Sequence, residues 1–170
     1  MPKIHEGMLR ADGRRFAVVA SRWNDFIGDK LIAGALDALR RTGASDEDVE
    51  IFRCPGAMEI PALTRRVVEM NRFDAVICLG VVIRGATPHF DLVVGEATAG
   101  VARIAATAAP AITFGVLACD SLEQAVERAG TKGGNRGFDA AMAAVEMADL
   151  FGRLSETTAI SSTSGLRRGK

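Results

Sequence analysis

The sequence has few of the residues that build metal centres and disulfide frameworks. It contains three cysteines, Cys54, Cys78 and Cys119, and two histidines, His5 and His89. The cysteines lie far apart in sequence and form no C-x-x-C pair, which argues against a disulfide framework or a zinc site. We therefore expect no metal site, and three buried, reduced thiols of the kind found in cytoplasmic proteins.

Long hydrophobic runs and an excess of one charge are also lacking. The longest stretch without a charged residue, Ile104 to Cys119, contains Pro110 and Gly115 and falls short of the roughly 20 apolar residues of a membrane-spanning helix. Residues 1–15 contain no apolar segment of the kind found in secretory signals. The 21 basic and 21 acidic residues cancel. We therefore expect no nucleic-acid partner and no membrane association.

What is present is the composition of a single globular domain. Apolar residues make up 48% and charged residues 25% of the 170 residues, both ordinary for folded proteins. A polar N-terminal arm, residues 1–14, precedes a domain at residues 15–154. The Ser- and Thr-rich residues 155–170 are expected to form a flexible tail.

Apolar segments with strand and helix character alternate along this domain. Each of four short segments rich in apolar residues is followed by a segment whose apolar residues have helical spacing. A last segment with helical spacing, Phe138–Leu154, predicts the final helix. The predicted strands are Phe16–Ala20, which is typical of a strand buried on both faces, Val49–Cys54, Ala75–Gly80 and Ile112–Ala118. This alternation predicts an α/β fold with a parallel sheet between layers of helices, and ligand binding at the carboxyl ends of the strands.

Two of the four loops at that edge hold an aromatic or acidic candidate. Ser21–Asp25 carries Trp23, whose indole can stack on a flat heterocycle or pack on the following helix. Cys54–Glu59 places Glu59 at a helix start, where a carboxylate suits the helix dipole with or without a ligand. Both alternatives stay open at each position.

The third loop, Val81–Asp91, is the densest in functional groups. Gly85, Ala86 and Thr87 can present backbone N–H groups and a hydroxyl to an anion. His89 follows directly and can exchange protons near neutral pH, although a lone histidine is often purely structural. This loop is a candidate site for proton transfer beside a bound phosphate.

The fourth loop, Cys119–Ser121, leads into a basic segment. Arg128, Lys132 and Arg136 recur every fourth residue and can hold a phosphate or form a solvated basic face. The sequence has neither a P-loop nor a dinucleotide fingerprint. The loops alone therefore indicate a small α/β protein that binds a planar ring and a phosphate.

Longer motifs carry a more specific resemblance. They are SRWNDFI, CPGAMEIP, LGVVIRGATPHFDLV, ITFGVL and EQAVERAGTKGGNRG, the last followed by AAMAAVEM. In this order and spacing the chain resembles the 6,7-dimethyl-8-ribityllumazine synthases of riboflavin biosynthesis. The resemblance implies a flavodoxin-like, three-layer fold with a four-stranded parallel sheet. It also implies a transferase-class enzyme that condenses 5-amino-6-(D-ribitylamino)uracil with 3,4-dihydroxy-2-butanone 4-phosphate, giving the lumazine, phosphate and water without a cofactor.

The same resemblance implies residue roles. His89 would transfer protons, Arg128 would pair with the substrate phosphate with help from Lys132, and Trp23 would stack on the pyrimidine ring. The other substrate-binding residues would be Ala57, Met58 and Glu59 in the ribityl and ring pocket, Val81, Val82 and Ile83 along the uracil edge, Ala86 and Thr87 at the phosphate, Arg136 at the ribityl chain, and Phe114 lent by a neighbouring subunit.

The chain departs from the family pattern at a few of these positions. Met58 stands where the family usually has Phe, and Ala118 and Cys119 replace a pair of threonines. Arg136 replaces a common Lys, which puts the ribityl contact there in doubt because the two cations differ in geometry.

The resemblance also implies a homo-oligomer in the cytoplasm. Pentamers are the smallest unit, and some members stack twelve pentamers into an icosahedral shell of sixty subunits. The compact segment GTKGGN favours the shell, and the arm Lys3–Arg14 would add to a neighbour's sheet. Riboflavin synthase is an expected partner. Two other functions stay open: a protein that stores a flavin or lumazine, and a shell protein whose site has been lost.

Overall fold

A single parallel sheet forms the centre of the molecule. The computed structural model describes the backbone of residues 1–165 and the side chains of residues 1–156. The sheet has the order β2-β1-β3-β4, and every neighbouring pair is parallel. Its strands are β1 Phe16–Ser21, β2 Val49–Cys54, β3 Ala75–Ile83 and β4 Ala111–Cys119. The predicted α/β fold with a four-stranded parallel sheet is confirmed.

Helices cover both faces of this sheet. They are α1 Asp25–Arg41, α2 Ile60–Glu69, α3 His89–Ala105, α4 Leu122–Glu127 and α5 Arg136–Gly165. Leu31 of α1 and Val145 of α5 share one core cluster with Phe16 and Ile77 of the sheet. Ile60 of α2 belongs to a second cluster on the opposite face, with Val101 of α3 and Val19 and Val76 of the sheet. Burial on both faces explains why β1 is an uninterrupted apolar run.

The end of β3 and the start of α3 differ from the sequence prediction. Strand β3 continues past Gly80 to Ile83, because its pairing with β4 runs on to the pair Ile83 and Cys119. The residues Val81 to Ile83 were predicted to lie in a loop, and that prediction was wrong. Helix α3 begins at His89 rather than near Asp91, so His89 belongs to a helix and not to the loop before it.

The segment between α4 and α5 contains structure that the sequence pattern did not predict. Ala129–Thr131 and Gly134–Asn135 pair as a short antiparallel hairpin, strands β5 and β6. The Asn135 side chain then accepts hydrogen bonds from the N–H groups of Gly137 (2.8 Å) and Phe138 (3.1 Å). This capping starts α5 two residues before the predicted position, Phe138.

The far end of α5 also differs from the prediction. The helix runs to Gly165, beyond the predicted end at Leu154, and no proline or glycine interrupts residues 155–164. Part of the predicted tail is therefore helical, and residues 166–170 lie outside the described part of the chain. Within the described residues, no helix combines the length and apolarity needed to cross a membrane.

The N-terminal arm lies against α5 of its own chain. Asp149 on α5 accepts a hydrogen bond from the Met8 N–H (2.9 Å) and pairs with Arg14 (2.9 Å). Arg153 donates to the Glu6 carbonyl (2.7 Å), and Ala11 is fully buried. The addition of this arm to a neighbouring sheet stays a prediction.

Candidate active site

A cavity of about 700 Å³ opens at the carboxyl ends of the strands. Three of the four predicted loops contribute to its wall, as parallel strands with right-handed crossovers require. The cavity brings together these predicted site residues: Trp23, Ala57, Met58, Glu59, Val81, Val82, Ile83, Thr87 and His89.

Trp23 forms one wall of the cavity. Trp23 is 67% exposed, so its indole is not buried against the following helix. The Trp23 N–H donates to the Pro55 carbonyl (3.1 Å), which ties the first loop to the second. A Cβ added at Gly56 would lie 3.1 Å from Glu59 Oε2, a tight approach, and 3.6 Å from the indole, an ordinary contact, so a larger residue would crowd Glu59 rather than Trp23. The hydrogen bond holds the Trp23 backbone beside the second loop, while the indole lines the cavity.

Glu59 lines the same cavity, and its carboxylate shapes the loop. Glu59 Oε2 accepts a hydrogen bond from the Gly56 N–H (2.8 Å). This bond uses one carboxylate oxygen and leaves Oε1 available to a ligand hydroxyl. Beneath the loop, burial and then the charge of Glu59 raise the pKa of the Cys54 thiol, so that thiol stays neutral and structural.

Asn24 also lines the cavity and was missing from the site residues predicted from the sequence. It does precede α1, but its side chain makes no capping bond and its backbone is left-handed (φ 60°). Instead Asn24 Nδ2 donates to the Val81 carbonyl (3.0 Å) at the cavity floor. The signal was present in the sequence, because asparagine is the residue that most readily adopts this conformation after glycine.

His89 occupies the first position of α3, beside Thr87 on the cavity wall. Gly85, Ala86 and Thr87 precede this helix start and are exposed. The unpaired N–H groups and the positive dipole of a helix start favour an anion nearby. Ala86 itself is not among the residues that line the cavity.

The remaining candidates do not line the cavity of their own chain. Arg128 ends α4 and donates to the Gln124 carbonyl (2.9 Å), Lys132 lies in the hairpin turn, and Arg136 pairs with Asp139 (3.3 Å). Phe114 lies on β4, at the open edge of the sheet, and is 40% exposed. The structure therefore separates the predicted phosphate cations and Phe114 from the ring pocket within one chain.

Arg128 nevertheless lies near the same edge of the sheet. Burial raises the pKa of the Cys119 thiol at the end of β4, and the positive charge of Arg128 opposes that rise. Cys119 pairs in register with Ile83, which lines the cavity. Arg128 therefore lies near the end of the edge strand β4. This strand is the neighbour of β3, whose last residues line the cavity.

These features define a class: a small α/β protein of flavodoxin-like architecture with an indole, a carboxylate and an imidazole around a cavity at the carboxyl edge of its sheet. The family model of 6,7-dimethyl-8-ribityllumazine synthase matches residues 13–152. The chain belongs to the 6,7-dimethyl-8-ribityllumazine synthase family.

Curated relatives agree with this assignment, and each has the name 6,7-dimethyl-8-ribityllumazine synthase. The Chlorobaculum tepidum protein is 54% identical over 149 residues, which are 88% of this chain and 96% of the relative. The Chlorobium phaeobacteroides protein is 57% identical over 146 residues, covering 86% and 94% of the two chains. The Desulfatibacillum aliphaticivorans protein is 52% identical over 150 residues, covering 88% and 97%.

Proposed function

We propose that this protein is a lumazine synthase. It condenses 5-amino-6-(D-ribitylamino)uracil with 3,4-dihydroxy-2-butanone 4-phosphate and releases 6,7-dimethyl-8-ribityllumazine, phosphate and water. The observation that carries the proposal is the meeting of Trp23, Glu59 and His89 around one cavity, in a chain of this family.

The proposed binding mode follows from the chemistry of the cavity wall. The pyrimidine stacks on the Trp23 indole, and its polar edge meets the backbone of Val81, Val82 and Ile83. Ribityl hydroxyls donate to the Glu59 carboxylate between Ala57 and Met58, and Arg136 supports the far end of that chain. This mode fills the apolar part of the cavity with the ring and leaves the α3 side for the second substrate.

The phosphate substrate then lies next to His89. Its phosphate meets the loop of Ala86 and Thr87 at the α3 N-terminus, and Arg128, assisted by Lys132, closes on it from the α4 side. The contacts of Arg128 support this role. Its guanidinium donates a short hydrogen bond to the Gln124 backbone carbonyl (2.9 Å), whereas its distance to the Glu127 carboxylate is longer (3.9 Å). Its guanidinium keeps donors available for an anion.

In the proposed reaction, the 5-amine attacks the ketone and loses water to form an imine. Loss of a proton from the hydroxyl-bearing carbon expels the phosphate and leaves an enol, which tautomerises to a ketone. The ribityl-bearing nitrogen attacks this ketone, and loss of a second water closes the ring. His89 moves protons during these steps. Holding both substrates in place supplies about 7–11 kcal/mol at best, whereas one acid–base group adds about 10²–10⁴-fold.

We further propose that the active form is a homo-oligomer, with a pentamer as its unit and a shell of sixty subunits as the favoured larger form. Apolar side chains are exposed around the cavity and on the sheet edge, including Trp23, Phe26, Met58 and Phe114. Exposed apolar patches of this kind mark interaction surfaces. A neighbour's Phe114 would complete the ring pocket. A cytoplasmic location and association with riboflavin synthase are part of the same proposal.

The decisive experiment mixes both substrates with the purified protein and follows lumazine absorbance and phosphate release together. Equal amounts of lumazine and phosphate are expected. A tightly bound yellow ligand without phosphate release would favour the storage function instead, and no binding of either substrate would favour a shell protein without a site. A solution mass measurement separates five subunits from sixty.

A further inference from the structure

Glu96 is a cavity residue that the proposed binding mode leaves without a role. It belongs to α3 and lines the cavity together with His89 and Val93 of the same helix. These three residues share one helix face, because they are four and three positions apart. The wall of the cavity therefore carries two carboxylates, Glu59 and Glu96.

Packing places Glu96 at the Glu59 end of the cavity. Helix α3 packs against the single turn Ala57–Glu59, and Val93 contacts the core cluster that includes the first residue of this turn. Further along α3, a Cβ added at Gly100 would lie 2.7 Å from the Pro61 side chain, so the helix closely approaches the start of α2. Glu96 lies between Val93 and Gly100, and hence beside the part of the wall that Glu59 forms.

The two carboxylates have unused capacity to accept hydrogen bonds. Glu59 uses one oxygen for the Gly56 N–H (2.8 Å). The Glu96 carboxylate lies 3.9 Å from Arg103 Nη2, which is beyond hydrogen-bond distance, and its side chain is 64% exposed. An ionised carboxylate can only accept, so a ligand at this end of the cavity must bring donors. A chain with several hydroxyl groups meets this requirement.

The spacing along α3 matches the length of the ribityl chain. A helix rises about 1.5 Å per residue, so the Cα atoms of His89 and Glu96 are about 10 Å apart. From the ring nitrogen to its last oxygen, an extended ribityl chain spans about 7 Å, and a hydrogen bond adds about 2.8 Å. A uracil whose reacting amine lies at His89 can therefore reach Glu96 with its last hydroxyls. The phosphate substrate keeps the first turn of α3.

We propose that Glu96 is a further substrate-binding residue, which accepts hydrogen bonds from the terminal ribityl hydroxyls while Glu59 holds those nearer the ring. This inference rests on the proposed function and names the part of the uracil substrate that the cavity selects. A chain without hydroxyls leaves both carboxylates without their donors, so the second carboxylate increases the preference for a hydroxylated chain.

The test compares two uracils with the wild type and two Glu96 variants. One is 5-amino-6-(D-ribitylamino)uracil, and the other is 5-amino-6-(pentylamino)uracil, which has the same chain length without hydroxyls. Glu96→Ala should raise KM for the ribityl compound about 10-fold, because hydrogen bonds to a charged group are lost. KM for the pentyl compound, KM for the butanone phosphate and kcat should stay within about twofold. Glu96→Gln keeps a neutral acceptor and should raise KM for the ribityl compound about threefold.

Glu69 provides a matched control outside the cavity. It is also an exposed helix glutamate next to an arginine, Arg65 (3.1 Å), but it lies at the last residue of α2. Glu69→Ala should leave KM for both uracils unchanged. If Glu96→Ala behaves like Glu69→Ala, or if it raises KM for both uracils equally, the ribityl role is wrong.

Binding measured without turnover separates this inference from the proposed function. Trp23 is the single tryptophan of the sequence and lines the cavity, so its fluorescence reports a bound uracil. Glu96→Ala should raise the Kd of the ribityl compound about 10-fold and leave that of the pentyl compound unchanged.

A wild type that binds the ribityl compound but forms no lumazine would refute the proposed function only. In that case a weaker Kd in Glu96→Ala still supports the ribityl role, and an unchanged Kd overturns it. A wild type that binds neither uracil would overturn both.

Discussion

At the scale of single residues, His89 is the group whose replacement separates proton transfer from substrate positioning. The imidazole is one of the side chains that line the cavity. His89→Ala should lower kcat by about 10²–10⁴-fold, because binding and orientation of both substrates remain. Lumazine absorbance at saturating substrates measures this directly.

The second histidine supplies the control for that variant. His5 lies in the exposed part of the N-terminal arm, so His5→Ala should leave kcat unchanged. A complete loss of turnover in His89→Ala, with an unchanged circular dichroism spectrum, would contradict the ranking of positioning above proton transfer.

Arg128 should act on one substrate only. A hydrogen bond to a charged group contributes about 1.5–3 kcal/mol, so Arg128→Ala should raise KM for the butanone phosphate by about 10–100-fold. KM for the uracil should hardly change, because the ring pocket lies on the other side of β3. Separate titration of each substrate measures the two values, and a rise confined to the uracil KM would remove Arg128 from the phosphate site.

The sequence predicts a site residue when its position depends only on the strand or helix next to it in the chain. Trp23, Glu59 and His89 each follow a recognisable strand, so the strand prediction alone brings them to one edge. The role of Asn24 depends on a distant partner, the Val81 carbonyl. No local pattern states which carbonyl or carboxylate will lie nearby.

At the scale of elements, the same distinction between adjacent and distant partners explains which strand and helix boundaries the sequence predicts. The cores of all four strands were predictable, because each is a short segment rich in apolar residues and bounded by turn residues. The extension of β3 to Ile83 was not, since it depends on a partner strand that lies much later in the chain. The start of α5 was predictable in principle, because Asn135 is a favoured N-cap residue.

The contact between the arm and α5 has a predictable pH dependence. Asp149 is 8% exposed, and the Met8 N–H, followed by Arg14 and Arg153, lowers the pKa of its carboxyl group. A carboxyl group with a lowered folded-state pKa stabilises the fold above its unfolded value, near pH 4, and loses this effect as the pH falls through the folded value. Acidification below about pH 4 should therefore release the arm.

Limited proteolysis and hydrogen exchange of residues 1–14 across this pH range measure the release. Asp149→Asn should expose the arm already at pH 7 and lower the free energy of unfolding by about 1–3 kcal/mol, since a charged acceptor is lost. Asp37→Asn removes an exposed pair with Arg41 (2.8 Å) and should leave the arm protected. An arm equally protected at pH 3 and pH 7 would show that Asp149 does not hold it.

At the scale of the whole molecule, the fold class follows from length, composition and the alternation of strand and helix patterns. The assembly does not, because the surfaces that would meet between subunits lie far apart in one chain. Phe114 illustrates this: it is exposed on the edge strand β4 and absent from the cavity wall of its own chain. The proposed ring pocket is complete only if another protomer brings its Phe114 to it.

A shared site can be tested by mixing two inactive variants. His89→Ala impairs the chain that forms the cavity, and Phe114→Ala impairs the chain that would complete it. In a ring with head-to-tail contacts, random mixing of equal amounts places wild-type residues on both sides of about one quarter of the sites. Subunits are exchanged by unfolding and refolding the two variants together, and turnover is then compared with the mean of the separately refolded variants.

A shared site requires the mixed preparation to exceed that mean several-fold, because complete sites exist only in mixed rings. If each chain completes its own site, no site in the mixture is complete, and the activity equals the mean. Wild type that is unfolded and refolded in the same way gives the activity of fully complete sites. The mixed preparation should reach about one quarter of that activity. An activity equal to the mean, at a mass that shows mixed oligomers, would place Phe114 outside the active site.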